Sequence, residues 1–153
     1  MLRKIVKKKS RRNMFGYKIL YSDSKLLSDK NLNLSGKPDY IFKNKFTGRL
    51  VPAELKSGAA SLLDVPKHGD LMQLVCYFVL TEKCLGSRPK KGRLIYNDFM
   101  FIIKNTRRLR NELFSTISDM RRMIKTGKHD VSPTFPICKH CVCQGTVCEH
   151  CSF

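Results

Sequence analysis

Apolar and polar residues along the chain fall into short runs that predict strands, interrupted by two stretches that predict helices. Phe15 to Tyr21 alternates and is rich in Tyr, Phe and Ile, which predicts a strand. Ser22-Asp23-Ser24 reads as a turn, Lys25–Leu27 as a second short strand, and Asn31–Ser35 as the approach to the next apolar run. Tyr40-Ile41-Phe42 and Leu50-Val51 are apolar runs on either side of a turn-like segment, so they predict a hairpin turning through Asn44–Gly48. From Ala59 to Asp70 there is no clean period, and Pro66 and Gly69 predict a loop or a broken helix. From Asp70 to Leu85 the period lengthens. Leu71, Leu74, Val75, Phe78 and Val79 form one wide face, with Asp70 placed to cap the helix and Gly86 to stop it. Arg93–Tyr96 and Phe99–Lys104 read as strands around Asn97-Asp98. A long amphipathic helix then runs from Asn105 or Thr106 to about Thr126 along Leu109, Leu113, Ile117, Met120 and Ile124. Gly127 ends it, and Pro133 and Pro136 lead into a cysteine-rich tail.

The chemistry concentrates around the hairpin. Asp39 directly precedes its first run, and Glu54 and Lys56 close its second, separated by one residue so that both project from the same face of a strand. Pairing of the two runs brings Asp39 alongside them. Two carboxylates in one small volume call for a cation between them, and a hard divalent ion on oxygen ligands is the natural choice. The other reading of this spacing is a solvated sheet face with cross-strand ion pairs. Pro38 shapes the backbone before Asp39, and Pro52 predicts a sheet edge or an irregularity. Gln73 and Tyr77 lie four apart and share a helix face. His68 lies in the loop, from which it could approach the site.

Charge changes the picture further. Lys and Arg number 30 against 12 Asp and Glu in 153 residues, a net charge of +18, which points to a polyanion, with nucleic acid ahead of an anionic membrane surface. Lys7, Lys8, Arg11 and Arg12 belong to a basic run that reads as a solvated tail or a phosphate-contacting arm. Lys90 and Lys91 form a basic loop. Arg107 and Arg108, with Arg110, Arg121, Arg122 and Lys125, give the last helix a one-signed face suited to DNA. No apolar run approaches a membrane span, and the start lacks the apolar core of a signal peptide, so a cytoplasmic protein with no membrane partner is expected.

Of 7 cysteines, five crowd into Cys138–Cys151, as Cys138-Lys-His-Cys141, Cys143 and Cys148-Glu-His-Cys151. Two CxxC pairs in so short a tail point to a bound metal or cluster, and their spacing alone leaves zinc and iron–sulfur both open. Cys76 and Cys84 lie in the first helix and read as small core residues.

The ordered set Gly36-Lys-Pro-Asp39, Glu54-x-Lys56, Gln73-xxx-Tyr77, the strand Leu94-Ile95-Tyr96 and the terminal cysteines resembles the PD-(D/E)xK nuclease superfamily. Within it the chain resembles the RecB-like branch, and most closely the CRISPR-associated RecB-like exonuclease, the fourth of the Cas families. The likeness covers roughly Lys18 to Cys151. It implies an α/β, restriction-endonuclease-like core, with a central mixed sheet flanked by helices, over residues 15–132. A basic segment, 1–14, precedes that core and a metal-binding tail, 133–153, comes after it. It implies Mg²⁺ or Mn²⁺ on Asp39, Glu54 and the main-chain carbonyl of Leu55, Lys56 orienting or activating the attacking water, and Gln73 and Tyr77 positioning the strand. It also implies a 4Fe–4S cluster on Cys138, Cys141 and Cys148. The family's early cysteine ligand has no counterpart, so Cys151 serves as the fourth ligand with Cys143 in reserve. The family's first histidine motif also has no counterpart. The implied activity is an exonuclease on single-stranded DNA that trims spacer precursors beside the CRISPR integrase complex. The alternatives are a RecB-like repair nuclease outside CRISPR and a non-catalytic nucleic-acid-binding module folded around a Zn²⁺ tail.

Overall fold

The structure is a computed structural model that describes residues 16–22, 26–58 and 65–127, together with the backbone of 6–10. In chain order the elements are β1 (Val6–Ser10), β2 (Tyr17–Ser22), β3 (Leu27–Asp29), β4 (Leu34–Gly36), β5 (Tyr40–Asn44), β6 (Leu50–Leu55), α1 (His68–Leu85), β7 (Lys91–Ile95), β8 (Phe99–Lys104) and α2 (Arg107–Thr126). The chain divides into a unit of residues 1–115 and a unit of residues 116–153.

The first unit is α/β with a mixed sheet. Its six strands run in the order β1-β8-β7-β6-β5-β2. Only β6 and β7 pair in parallel; the other neighbours are antiparallel. The predicted β5–β6 hairpin forms, with Lys43 opposite Leu50 and Tyr40 opposite Ala53. Its turn is set by Asn44, whose Oδ1 accepts from Phe46 N, Thr47 N and Thr47 Oγ1, while Gly48 takes a φ of 68° and donates back to Asn44 O. Parallel strands need a crossover, and α1 supplies it between β6 and β7. Side-chain alternation then sorts the hairpin. Val51 and Ala53 join Phe42, Ile95 and Met100 on one face, and Glu54 lies on the face that α1 covers, where it meets Gln73.

α1 buries Leu71, Leu74, Val75, Phe78 and Val79, as its period predicts, and Met72, Tyr77, Leu80 and Thr81 besides. Two glycines let it approach closely. A Cβ on Gly92 would stand 2.6 Å from Phe78 Cε1 and 2.9 Å from Pro52 O, and one on Gly36 would stand 2.9 Å from Tyr77 Cε1. The helix stops at Gly86, in the left-handed conformation at φ 64°.

Several expectations are corrected. Pro52 lies in an interior strand, not at an edge; the parallel ladder to β7 begins only at Ala53. α1 starts at His68 after Lys67, with no side-chain cap, so Asp70 sits inside the first turn and its carboxylate is used elsewhere. The expected strand at Lys25–Leu27 is shifted to β3, which pairs with β4 as a separate two-stranded sheet. Within the basic run, Val6–Ser10 forms a strand against β8. Cys84 is exposed and Cys76 only partly buried, so neither is a core residue. Leu109 and Leu113 of α2 are buried, in the stretch where Arg110 pairs with Glu82 and Glu112 with His68.

The described part of the second unit is the remainder of α2. Arg122 pairs with Asp119 at 3.1 Å, and Gly127 closes the helix at φ 65° by donating to Met123 O. Met120 and Ile124, expected on a buried face, are 57% and 82% exposed. The cysteine tail lies outside the described residues. Among the described residues no helix is long and apolar enough to cross a membrane.

Candidate active site

Three elements deliver the site residues to one end of the sheet. Asp39 stands immediately before β5, and its Oδ2 accepts the Leu55 N–H at 2.7 Å, which ties the start of one hairpin strand to the end of the other. Lys56, just beyond β6, is fixed by its own N–H donating to Ile95 O at 2.8 Å. α1 brings Asp70, Gln73 and Tyr77, spaced three and four apart and therefore on one helix face.

The Lys56 ammonium has three donors and three acceptors to meet them. Nζ lies 2.6 Å from Gln73 Oε1, 3.2 Å from Asp70 Oδ1 and 3.4 Å from Glu54 Oε1. Gln73 is held from both ends, since its Nε2 donates to Glu54 Oε1 at 2.7 Å and to Tyr77 Oη at 2.9 Å. Tyr77 in turn donates to Lys37 O at 3.3 Å. Tyr96, one residue past β7, donates to Asp70 Oδ2 at 2.8 Å.

Electrostatics distinguish the two carboxylates beside the hairpin from an ordinary ion pair. Burial pushes the Glu54 carboxyl above its ordinary value, the Asp39 charge pushes it further, and Lys56 only partly offsets them. Glu54 Oε1 serves Lys56 and Gln73, whereas Glu54 Oε2 is buried without a hydrogen-bond partner. A buried, unsatisfied carboxylate oxygen beside a second carboxylate is costly by itself and fits a divalent cation. Among the described residues no three His, Cys, Asp or Glu side chains cluster as a metal site. The oxygens that could hold such an ion are those of Asp39, Glu54 and the Leu55 main chain, and Mg²⁺ commonly uses only one or two protein carboxylates. Burial, then the Glu54 and Asp39 charges, push the Tyr77 phenol up to about 12 against the Gln73 hydrogen bond, so Tyr77 remains a donor.

All five sequence-predicted catalytic residues thus converge. The structure adds Asp70 and Tyr96, which the sequence pattern leaves out of the site. The spacing of Asp70 three residues before Gln73 is the available signal; Tyr96 carries none. His68 is not among the residues bonded in the site; its Nε2 lies 2.8 Å from Glu112 Oε1. Lys90 and Lys91 sit at the far end of the sheet, beside the Asn44–Leu50 turn. Arg107 and Arg108 are exposed in the first turn of α2. The side chains of Lys7 and Lys8, and Arg11 and Arg12 entirely, lie outside the described residues.

No family model matches the chain, and no curated protein matches it. Among solved structures its fold is similar to the crystal structure of SSO0001, with a TM-score of 0.53 at 18% identity. That match covers 90% of this chain and 62% of the other, so the chain spans less than two thirds of the length of the structure it resembles. The fold is α/β with a mixed sheet, and the site adds a carboxylate pair with a half-buried lysine at one end of that sheet.

Proposed function

We propose that the chain is a divalent-metal-dependent deoxyribonuclease of the RecB-like branch of the PD-(D/E)xK superfamily, on a restriction-endonuclease-like core. The observation that carries this reading is the convergence of Asp39, Glu54, Lys56, Gln73 and Tyr77 around a buried carboxylate oxygen left without a partner.

Asp39, Glu54 and the Leu55 carbonyl are the residues that would hold Mg²⁺ or Mn²⁺, which supplies Lewis-acid charge at a phosphoryl group and makes water a better nucleophile. Lys56, oriented by three acceptors, places a fixed positive charge where negative charge develops on the phosphate. Gln73 locks Lys56 to Glu54, and Tyr77 anchors that pair to the Lys37 main chain beside the incoming strand. Asp70, held by Tyr96, keeps the ammonium from swinging fully onto Glu54.

The same reading makes single-stranded DNA the substrate and exonucleolytic trimming of CRISPR spacer precursors, beside the integrase complex, the cellular setting. Cys138, Cys141, Cys148 and Cys151 would hold a 4Fe–4S cluster, with Zn²⁺ the other occupant the spacing permits. An anaerobic preparation with Mn²⁺ should cleave labelled single-stranded DNA, and Glu54→Gln or Lys56→Ala should each slow it by about 100-fold or more. Equal cleavage by the wild type and both variants sinks the assignment. Tight DNA binding without cleavage, together with Mn²⁺ binding untouched by Asp39→Ala, selects the non-catalytic binding module instead.

A further inference from the structure

Two cavities open side by side at the end of the sheet remote from Glu54. One, of about 270 Å³, is lined by Tyr17, Asn44, Arg49, Lys90 and Lys91 among others. Its neighbour, of about 590 Å³, shares Lys90 and Lys91 and adds Arg88 and Lys104. Five cations line the pair, and no Asp or Glu among the described residues does.

Register fixes where this groove lies. Arg93 pairs with Ala53 in the parallel ladder, so Lys91 stands two residues nearer the hairpin turn, while Leu55 and Ile95 mark the catalytic end. Lys91 is thus level with Val51, three residues and about 10 Å along β6 from Glu54, and it meets Tyr17 on the opposite face of the sheet. Lys90 and Lys91 therefore stand clear of the Glu54 carboxylate.

The groove also has a built wall. The Tyr17 ring carries the Arg93 guanidinium at 4.2 Å from its centroid and the Lys91 ammonium at 6.0 Å. Burial pushes the Tyr17 phenol up, but hydrogen bonds from Lys91 and Asn44 and the charges of Lys91 and Arg93 outweigh it and bring the phenol below its ordinary value. That is the signature of a positive local potential.

We infer that this groove is a second nucleic-acid site, which takes the phosphodiester backbone of a single strand on Arg49, Lys90 and Lys91, remote from the carboxylate site. Two adjoining cavities that share their central lysines suit a run of phosphates better than one isolated anion. The inference does not depend on catalysis, because backbone binding needs no divalent ion. If the nuclease reading also holds, a substrate must span about 10 Å of strand and pass from one face of the sheet to the other to engage both sites, and longer strands gain affinity that short ones lack.

The test uses the full chain in chelator, so that nothing is cut. The probe is a fluorescein-labelled single strand of about 16 nucleotides, read by anisotropy over a salt series. Arg49 and Lys90 are exposed, so Arg49→Ala/Lys90→Ala removes two charges without opening the core. Lys30→Ala/Lys83→Ala removes two exposed charges elsewhere. The groove variant should bind roughly tenfold more weakly, with a salt slope shallower by about 1.4 for two lost phosphate contacts, and the control should match the wild type. Equal weakening of both variants, or a groove variant that binds like the wild type, overturns the inference. So does a wild type that binds anionic phosphatidylserine vesicles in a groove-dependent way but not the oligonucleotide. Cleavage unchanged in Glu54→Gln with the groove effect intact sinks the nuclease reading and leaves this inference standing, so the two readings fail separately.

Discussion

Glu54 carries one oxygen with two partners and one with none, and that asymmetry has consequences for pH. Its carboxyl is raised in the fold by burial and by Asp39, so the protonated form is the better tolerated one. Without a divalent ion, stability is fully present below the ordinary value of 4.5 and falls as pH rises through the raised folded value. Thermal unfolding in chelator should therefore show a midpoint that declines with pH above 4.5 in the wild type and declines less in Glu54→Gln. Mn²⁺ should restore the wild type and leave the variant little changed. Asp70 supports a second prediction at this scale. Asp70→Asn removes one anionic acceptor from the Lys56 ammonium, so on the proposed nuclease reading kcat should fall about tenfold, a cost near 1.4 kcal/mol, while KM and Mn²⁺ affinity hold. Tyr96→Phe should act in the same direction and more weakly, because it only loosens Asp70. An unchanged kcat in Asp70→Asn would remove that residue from the site. Asp39, Glu54 and Lys56 are legible in sequence because strand alternation and a hairpin bring them together, whereas the helix repeat gives Gln73 and Tyr77 only a shared face and it is the resemblance that puts them at the site. Asp70 is not, because its local position fits a helix cap equally well and its partners are remote in sequence.

At the scale of elements, the packing of α1 on the sheet decides whether the site exists. β7 accepts the helix only through Gly92, where Phe78 and the Pro52 carbonyl leave no room for a methyl group. Gly92→Ala should destabilise the fold by about 1–3 kcal/mol, read by chemical denaturation, since main-chain oxygen cannot move aside as a side-chain tip can. The hairpin turn is a milder point. Asn44→Ala removes the acceptor for three donors at the turn, and it should lower stability by about 1 kcal/mol while the remote carboxylates keep their geometry. The hairpin, α1, the β7–β8 pair and α2 are all visible as periodic runs bounded by Gly, Asn or Asp. The strand at Val6–Ser10 is not, because a run of lysines carries no apolar period. The interior placement of Pro52 is hidden for another reason. A sequence does not say where along a strand each neighbour begins to pair, and here the parallel neighbour starts one residue later.

For the whole molecule, a net charge of +18 would make any affinity for nucleic acid strongly dependent on salt, whichever surface carries it. The described charges fall into two settings. Lys56 is enclosed by Glu54, Asp70 and Gln73, whereas Arg49, Lys90 and Lys91 line open cavities with no carboxylate among them. On the proposed reading, binding measured in chelator would report on the outer cations, and metal-dependent turnover would report on the inner one. The cysteine tail gives a separate observable. An anaerobically purified chain with a cluster on Cys138, Cys141, Cys148 and Cys151 should be brown with broad visible absorption, and a colourless chain with stoichiometric zinc by elemental analysis would replace iron–sulfur with zinc.

What the chain's order of residues determined by itself was the kind of chemistry present: acidic and basic groups at strand and helix spacings, glycines and asparagines at the bends, and a large excess of positive charge. Those come from local geometry, which repeats every two residues in a strand and every 3.6 in a helix. Tertiary structure alone decided which groups meet. It put Asp70 and Tyr96 behind Lys56, left one Glu54 oxygen buried without a partner, and sent Lys90 and Lys91 to the opposite end of the sheet. The reason is that strand order, parallel register and the seat of a crossover helix depend on contacts between distant segments, and no local pattern encodes them.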